Sequence, residues 1–490
     1  MNTSDLDTSA RRTGGSASHR SVVLLLILAT AIRALSYSRG NLNEIGLSSF
    51  SLVLVGLILI LFVRGPWQAP SETRGGVSLW KIALPCAYLY VFAVNSARYL
   101  MSDLGSEWEV PLQWLSAGAA IAALPVLLLT LERARQRLSG GWQITLLVMP
   151  LLPVLIFFLV VPVASPAPVI DVFFFQLQAA QELLAGRNPY ETEFLNLYGE
   201  GASLYPSGTA DSYPYPPLSF AFALLGLLLG DIRWPLIACH IAAAVLLCST
   251  SRARGLPWNE SIIFAALFLY LPYSVFVSEQ AWTDPTAAMS LGLMSLFLAR
   301  RQPRAALWAA GLALACKQTM ALLVPLLWAM WRSLQRAHLL AVFSFSAVTY
   351  GIFLLWNASA LWNDVVTFHL LTPARPRALT YSGYVYYLFD FYLPTWFGLV
   401  GLVSGVLAAV LGLLRADPDT SPCDGDRPWR FFSGLAFAYL LTALLSKHAF
   451  MNYYYLVYFA LVAALVWSRI ADLEATSDSH SPTSRVNLNE

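Results

Sequence analysis

The chain carries a succession of apolar runs, most of them close to the length needed to cross a lipid bilayer, joined by short polar connections. A crossing helix needs about 20 mainly apolar residues. Such runs fall at 21–37, 49–63, 80–99, 110–131, 142–165, 233–250, 259–277, 285–299, 304–317, 319–332, 338–356, 393–414, 430–446 and 450–468. Of 490 residues, 57% are hydrophobic and only 12% are charged, whereas soluble domains carry about 25% charged residues. No water-soluble core could enclose that much apolar surface. The expected fold class is therefore all-α, a polytopic transmembrane helical bundle of about 13–14 spans. Cys86, Cys239, Cys248 and Cys316 sit in apolar segments and Cys423 in a polar loop. Their spacing suits neither a zinc site nor a disulfide framework.

Orientation follows from where Lys and Arg fall, because cytoplasmic loops are enriched in them. With the N-terminus inside, the inner loops collect Arg11, Arg12 and Arg20; Arg64, Arg74 and Lys81; Arg133, Arg135 and Arg137; Arg252 and Arg254. Further along they collect Arg300, Arg301 and Arg304; Arg332 and Arg336; Arg415, Arg427 and Arg430; Arg469 and Arg485. The other side carries Asp103, Glu107, Glu109, Glu191, Glu193, Glu279 and Asp284. The alternation holds only if 216–230, apolar but short, does not cross. It is expected to lie as a juxtamembrane helix at the outer interface.

Two large extracytoplasmic loops result, 166–232 and 357–392. The first opens on an amphipathic segment capped by Asp171 and stopped by Gly186. The paired short runs around Lys317 read as a hairpin. Residues 1–20 and 471–490 are expected to be disordered cytoplasmic tails, 21–140 a four-span N-terminal module, and 141–470 the core. The protein is expected in a plasma membrane, in contact with membrane lipids. No basic stripe of the nucleic-acid-binding kind is present, so no nucleic-acid partner is expected.

Ionisable groups at membrane depth are costly and tend to have a job or a partner. Lys317 at the hairpin tip suits a lipid phosphate, as a point charge with three donors; it equally suits a structural carboxylate or the interface. Asp171, just past a span, could serve as a general base or simply as a helix cap. Gln280 and Asp284 form a polar cluster able to hydrogen-bond a sugar or to make a solvated turn. Arg375 and Arg377 place cations on the outer side against the charge rule, which fits an anion. His448 and Asn452, with the tyrosines after them, end a span on the same side.

The order of Asp171 after a span, Leu-Leu-Ala-Gly-Arg-Asn-Pro-Tyr190 and Tyr-Pro-Tyr-Pro-Pro217 resembles the C-type membrane glycosyltransferase superfamily. More narrowly it is similar to the bacterial polyprenyl-phosphomannose-dependent α-mannosyltransferases. Glu-Gln-Ala-Trp-Thr-Asp284 is similar to that branch's Gly-Gln-x-x-Asp segment. Ala-Gly-Leu-Ala-Leu-Ala-Cys-Lys317 resembles its Gly-to-Lys hairpin, and His448 with Asn452-Tyr453-Tyr454 its late His/Tyr motif. The likeness spans about 142–468. It implies a hexosyltransferase that takes a polyprenyl-phosphate sugar donor and a lipid or glycan acceptor, with the active site extracytoplasmic and no cofactor. In that reading Asp171 is the catalytic base, and Lys317, Arg375 and Arg377 hold the donor phosphate. Gln280, Asp284, His448, Tyr190, Tyr215 and Asn452 contact sugar or acceptor.

Two departures stand out. Glu279 replaces the family's Gly, and the outer loops lack an Asp-x-Asp pair, since Asp417/Asp419 and Asp424/Asp426 fall on the inner side. The second points away from a metal ion. The competing expectations are a secondary transporter or lipid flippase, which predicts internal repeats and broken helices, and a non-catalytic scaffold. No internal repeat is visible.

Overall fold

The computed structural model describes residues 18–38, 40–63, 79–95, 106–195, 197, 209–210, 212–332 and 335–478. Arg11, Arg12, Arg64, Arg74, Asp103 and Arg485, on which part of the charge reading rests, lie outside them. The protein is an all-α polytopic bundle. The described residues include an antiparallel pair, β1 (Phe194–Leu195) and β2 (Thr209–Ala210), and a bridge between Asn41 and Ala378.

The chain begins with α1 (His19–Ser38), α2 (Glu44–Phe62), α3 (Leu79–Asn95), α4 (Ser106–Thr130) and α5 (Gly140–Ala164). It continues through α6 (Asp171–Leu184), α7 (Pro217–Leu228), α8 (Trp234–Ala253), α9 (Trp258–Leu269) and α10 (Ser274–Glu279). Then come α11 (Asp284–Ala299), α12 (Pro303–Cys316), α13 (Gln318–Trp331) and α14 (Arg336–Leu371). The last are α15 (Tyr381–Phe389), α16 (Trp396–Leu414), α17 (Asp426–Leu445) and α18 (Met451–Asp478). Among the described residues nine helices are long and apolar enough to cross a membrane, so this is a multi-pass membrane protein. Within the described residues each apolar run read from the sequence falls on a helix, and the run 259–277 falls on two.

Ion pairs gather one end of the bundle. Arg20 meets Asp472 at 3.0 Å, Arg254 meets Glu474 at 3.0 Å, Arg301 meets Asp424 at 3.1 Å and Arg469 meets Glu260 at 3.0 Å. Asp424 and Asp426 are thus engaged by arginines at this end. Ser18–Arg20 and 471–478, placed in the terminal tails from sequence, are corrected here. They are helical or paired, with Ser18 N and Ser21 Oγ both donating to Asp472.

At the other end, buried Arg233 donates to the Ser165 carbonyl at 2.6 Å and the Pro162 carbonyl at 3.4 Å while pairing with Asp231 at 2.6 Å. A guanidinium on the last carbonyls of a helix satisfies acceptors that have no intrahelical partner. The contact also fixes topology. The chain leaves α5 and enters α8 at the same level, so 166–232 is one excursion that departs and returns there, with α7, only 12 residues long, inside it. Within the excursion α6 stops where sequence placed its end, at Gly186, whose φ of +74° only glycine adopts freely. Gly186 N bonds to Leu183 O and Arg187 N to Glu182 O, the paired bonds of a left-handed helix stop.

The run 338–356 ends at a kink. Asn357 leaves helical geometry (φ −156°, ψ 96°), and its side chain accepts from Ala360 N and donates to Glu191. Beyond it the chain stays helical to Leu371. On either side of the kink Phe353, Leu361 and Val365 join Tyr190, Tyr213, Phe220 and Phe175 in a second apolar cluster. This cluster caps the bundle.

The second break, at 270–273 between α9 and α10, lies inside the protein. Irregular backbone survives at membrane depth only where its polar groups find partners. His240 bonds the Leu269 carbonyl at 3.0 Å, and Asn95 donates to the Tyr270 carbonyl at 2.5 Å. Tyr273 and Ala281, both at positive φ, bracket α10.

Helix α18 runs through the centre, with Tyr454 to Trp467 entirely buried. Tyr454 stacks on Phe50 with ring centroids 4.4 Å apart, the Tyr458 hydroxyl donates to the Ala31 carbonyl, and the Tyr455 hydroxyl meets His240 at 2.6 Å. Residues 21–140 therefore share the main apolar core with the rest of the chain.

Candidate functional site

The capped end encloses a cavity of about 1440 Å³. It forms because α12 and α13, the two arms of the hairpin, diverge. The first packs on α11 and α14, the second on α16 and α17. Lys317 is the residue at the apex, in extended geometry between Cys316 and Gln318 (φ −154°, ψ 130°).

One wall of the cavity is polar. Asp171, Gln280, Lys317, Gln318, His369, Arg375, Lys447, His448, Asn452 and Tyr453 line it. The other is apolar and runs down between α13 and α16, with Leu322, Pro325 and Trp328 facing Leu399, Val403, Leu407 and Val410. Spacings of four and three along α16 set those side chains on one face.

Asp171 is the first residue of α6, with Ile170 as the cap, and its Oδ1 accepts from Val172 N at 2.8 Å. The cap expectation shifts by one residue: a first-turn carboxylate is favoured by the helix dipole. Lys317 donates to Asp284 Oδ1 at 2.5 Å and stands 5.4 Å from the centre of the Tyr453 ring. Of the two sequence readings for this lysine, pairing to a carboxylate is what the geometry displays, and the ammonium borders the cavity as well. Asp284 is 1% exposed and sits behind it.

Cross-links hold the rest of the rim. Arg375 N bonds the Lys447 carbonyl and Leu379 N the Ala449 carbonyl, both at 3.1 Å. The Lys447 ammonium donates to the Leu370 carbonyl at 2.9 Å. Gln318 donates to the Pro214 carbonyl at 2.7 Å and approaches His369, which meets the same carbonyl at 2.9 Å. Glu279, the departure noted above, is fully buried; it accepts from Ser165 and Gln280 at 2.9 Å each. It thus fastens Gln280 to the end of α5, close to the Arg233 clamp.

Of the residues singled out by sequence, Asp171, Lys317, Arg375, Gln280, His448, Tyr215 and Asn452 share this cavity. Three do not line it. Arg377 is exposed outside, Asp284 lies behind Lys317, and Tyr190 is buried in the cap, its hydroxyl on the Tyr215 carbonyl at 2.8 Å. Sequence reasoning passed over His369, Lys447 as a site residue, and Tyr439, whose hydroxyl meets Thr319. A lone histidine within the polar-bounded stretch 357–392 was the available signal for His369.

Burial, followed by His369, Lys447 and Arg375 nearby, pushes His448 down to about 3. Burial also pushes the Lys447 ammonium down. His448 therefore stays neutral in the folded chain, whereas the unfolded chain takes up a proton below about pH 6.5. The sign follows: its contribution to stability is complete above that value and is lost as pH falls from there towards 3. His448→Asn should flatten this limb, so that its melting temperature drops less than the wild type's between about pH 7 and pH 4.5. Equal drops would remove His448 from the acid response.

Fold and cavity together define a polytopic helical membrane protein with an amphipathic cavity at one end. Comparison of the chain with protein-family models, curated proteins and solved structures finds no match.

Proposed function

We propose that the protein is a membrane glycosyltransferase that moves a hexosyl group, mannosyl by its resemblance, from a polyprenyl-phosphate sugar to a lipid or glycan acceptor at the outer leaflet. The observation that carries this reading is the joining of one carboxylate, a cationic rim and a long apolar groove in a single cavity. A lipid-linked sugar has that division: an isoprenoid tail for the groove between α13 and α16, an anionic phosphate for the rim, and a sugar for the polar floor.

In this reading the Asp171 carboxylate takes the proton of an acceptor hydroxyl. The freed oxygen pair attacks the anomeric carbon from the face opposite the phosphate. The anomeric C–O bond breaks, and its electrons leave on the phosphate oxygen, inverting the centre. Arg375 and Lys447 stabilise the charge that grows there, which is worth most in a site shielded from water. Lys317, its charge shared with Asp284, orients through Tyr453 rather than acting as an isolated cation.

A transporter reading draws on the broken helix α9–α10, since such breaks hold ions or substrates in carriers. Here the carbonyls freed by the break are taken by His240 and Asn95, which favours the enzyme.

The deciding assay presents the purified protein with radiolabelled polyprenyl-phosphate sugars and a membrane lipid extract. Transfer from at least one donor is expected. Flux of those lipids across vesicles without transfer would replace this reading by the carrier.

A further inference from the structure

The turn between α1 and α2 reaches the cavity. Its backbone is fixed on every side. Asn41 N bonds the Ser38 carbonyl at 2.9 Å, Leu42 N bonds the Arg377 carbonyl at 2.8 Å, and Asn41 pairs with Ala378. Asn43 then caps α2 by accepting from Gly46 N at 3.1 Å. Gly40 has φ +73°, and a Cβ there would collide with the backbone of Met451, the first residue of α18. Any side chain at position 40 would lift the turn away from the rim.

The outcome of this fastening is that Asn41 lines the cavity along with Met451 and Arg375, and it is exposed to that space and not packed into the protein. A carboxamide offers two donors and an acceptor in one plane, the pattern that adjacent hydroxyls of a sugar ring satisfy. An apolar tail has no use for it, and a phosphate would use only half. We infer that the first helix pair is part of the site, and that Asn41 reads hydroxyl groups of the transferred hexose. The inference rests on the transferase reading and gives residues 21–140 a share in choosing the sugar.

The test compares wild type, Asn41→Ala and Gly40→Ala on polyprenyl-phosphomannose and polyprenyl-phosphoglucose, with melting temperature recorded for each. Loss of one or two neutral hydrogen bonds should raise the donor KM of Asn41→Ala about fivefold, with kcat changed less than about twofold. The ratio of kcat/KM between the two donors should shift as well. Gly40→Ala should move the same quantities further. An unchanged KM and an unchanged donor ratio in a folded Asn41→Ala protein overturn the inference. If wild type transfers from no donor, the transferase reading fails separately, and Asn41→Cys then decides. Protection of that thiol from a charged maleimide by mannose 1-phosphate keeps Asn41 in a sugar site; equal labelling with and without it removes it.

Discussion

Asp171→Asn should lower transfer by a factor of about 10² to 10⁴, the usual contribution of a positioned general base, with the protein still folded. Asparagine keeps the size of the side chain and an oxygen to accept from Val172 N, the bond that Asp171 makes at 2.8 Å at the start of α6. What it loses is the ability to hold the acceptor's proton. The predicted loss corresponds to about 3–5 kcal/mol of barrier. It should fall on kcat and on kcat/KM alike, because proton transfer belongs to the transition state and not to binding. Turnover within about threefold of wild type would exclude Asp171 as the base.

The second large effect concerns stability. Asp284→Ala should cost about 3–5 kcal/mol, because it leaves the Lys317 ammonium with its charge uncompensated in a place where water reaches only 11% of the side chain. The partner measurement separates pair from pocket. Replacing both groups, Asp284→Leu with Lys317→Met, should recover most of the loss, since removing a buried pair entirely is often neutral. Thermal unfolding in detergent of Asp284→Leu, Lys317→Met and the double variant supplies the cycle. A neutral Asp284→Ala would mean that Lys317 is solvated and that the pair contributes nothing.

Local chemistry was legible in the sequence; proximity was not. Apolar length placed the long helices, and of the loop arginines Arg20, Arg254, Arg301 and Arg469 are paired at one end of the bundle. Gly186 announced the end of α6 because a left-handed residue there must be glycine or nearly so. By contrast, the gap at 270–273 hides in a run that reads as one span. Its only local sign is Pro272, and the groups that make it tolerable, His240 and Asn95, come from other helices. The partner of Lys317 was equally invisible: Asp284 is 33 positions away, in a segment that sequence assigns to a polar turn. Asn41 lies outside the stretch carrying the family likeness, so no motif could point to it. Residue types fix what a group can do, whereas the tertiary path decides what it meets.

The central position of α18 bears on how the molecule is assembled. It follows every other described helix in the chain, so translation delivers it to the bilayer after them. Until then His240 lacks the Tyr455 hydroxyl, Arg20 and Ser21 lack Asp472, and Lys317 lacks the Tyr453 ring. The earlier helices must wait in the membrane with polar groups unmatched, as a loose ring around a vacant axis. Insertion of one helix then closes the ring and, by the same movement, lays down the floor of the cavity.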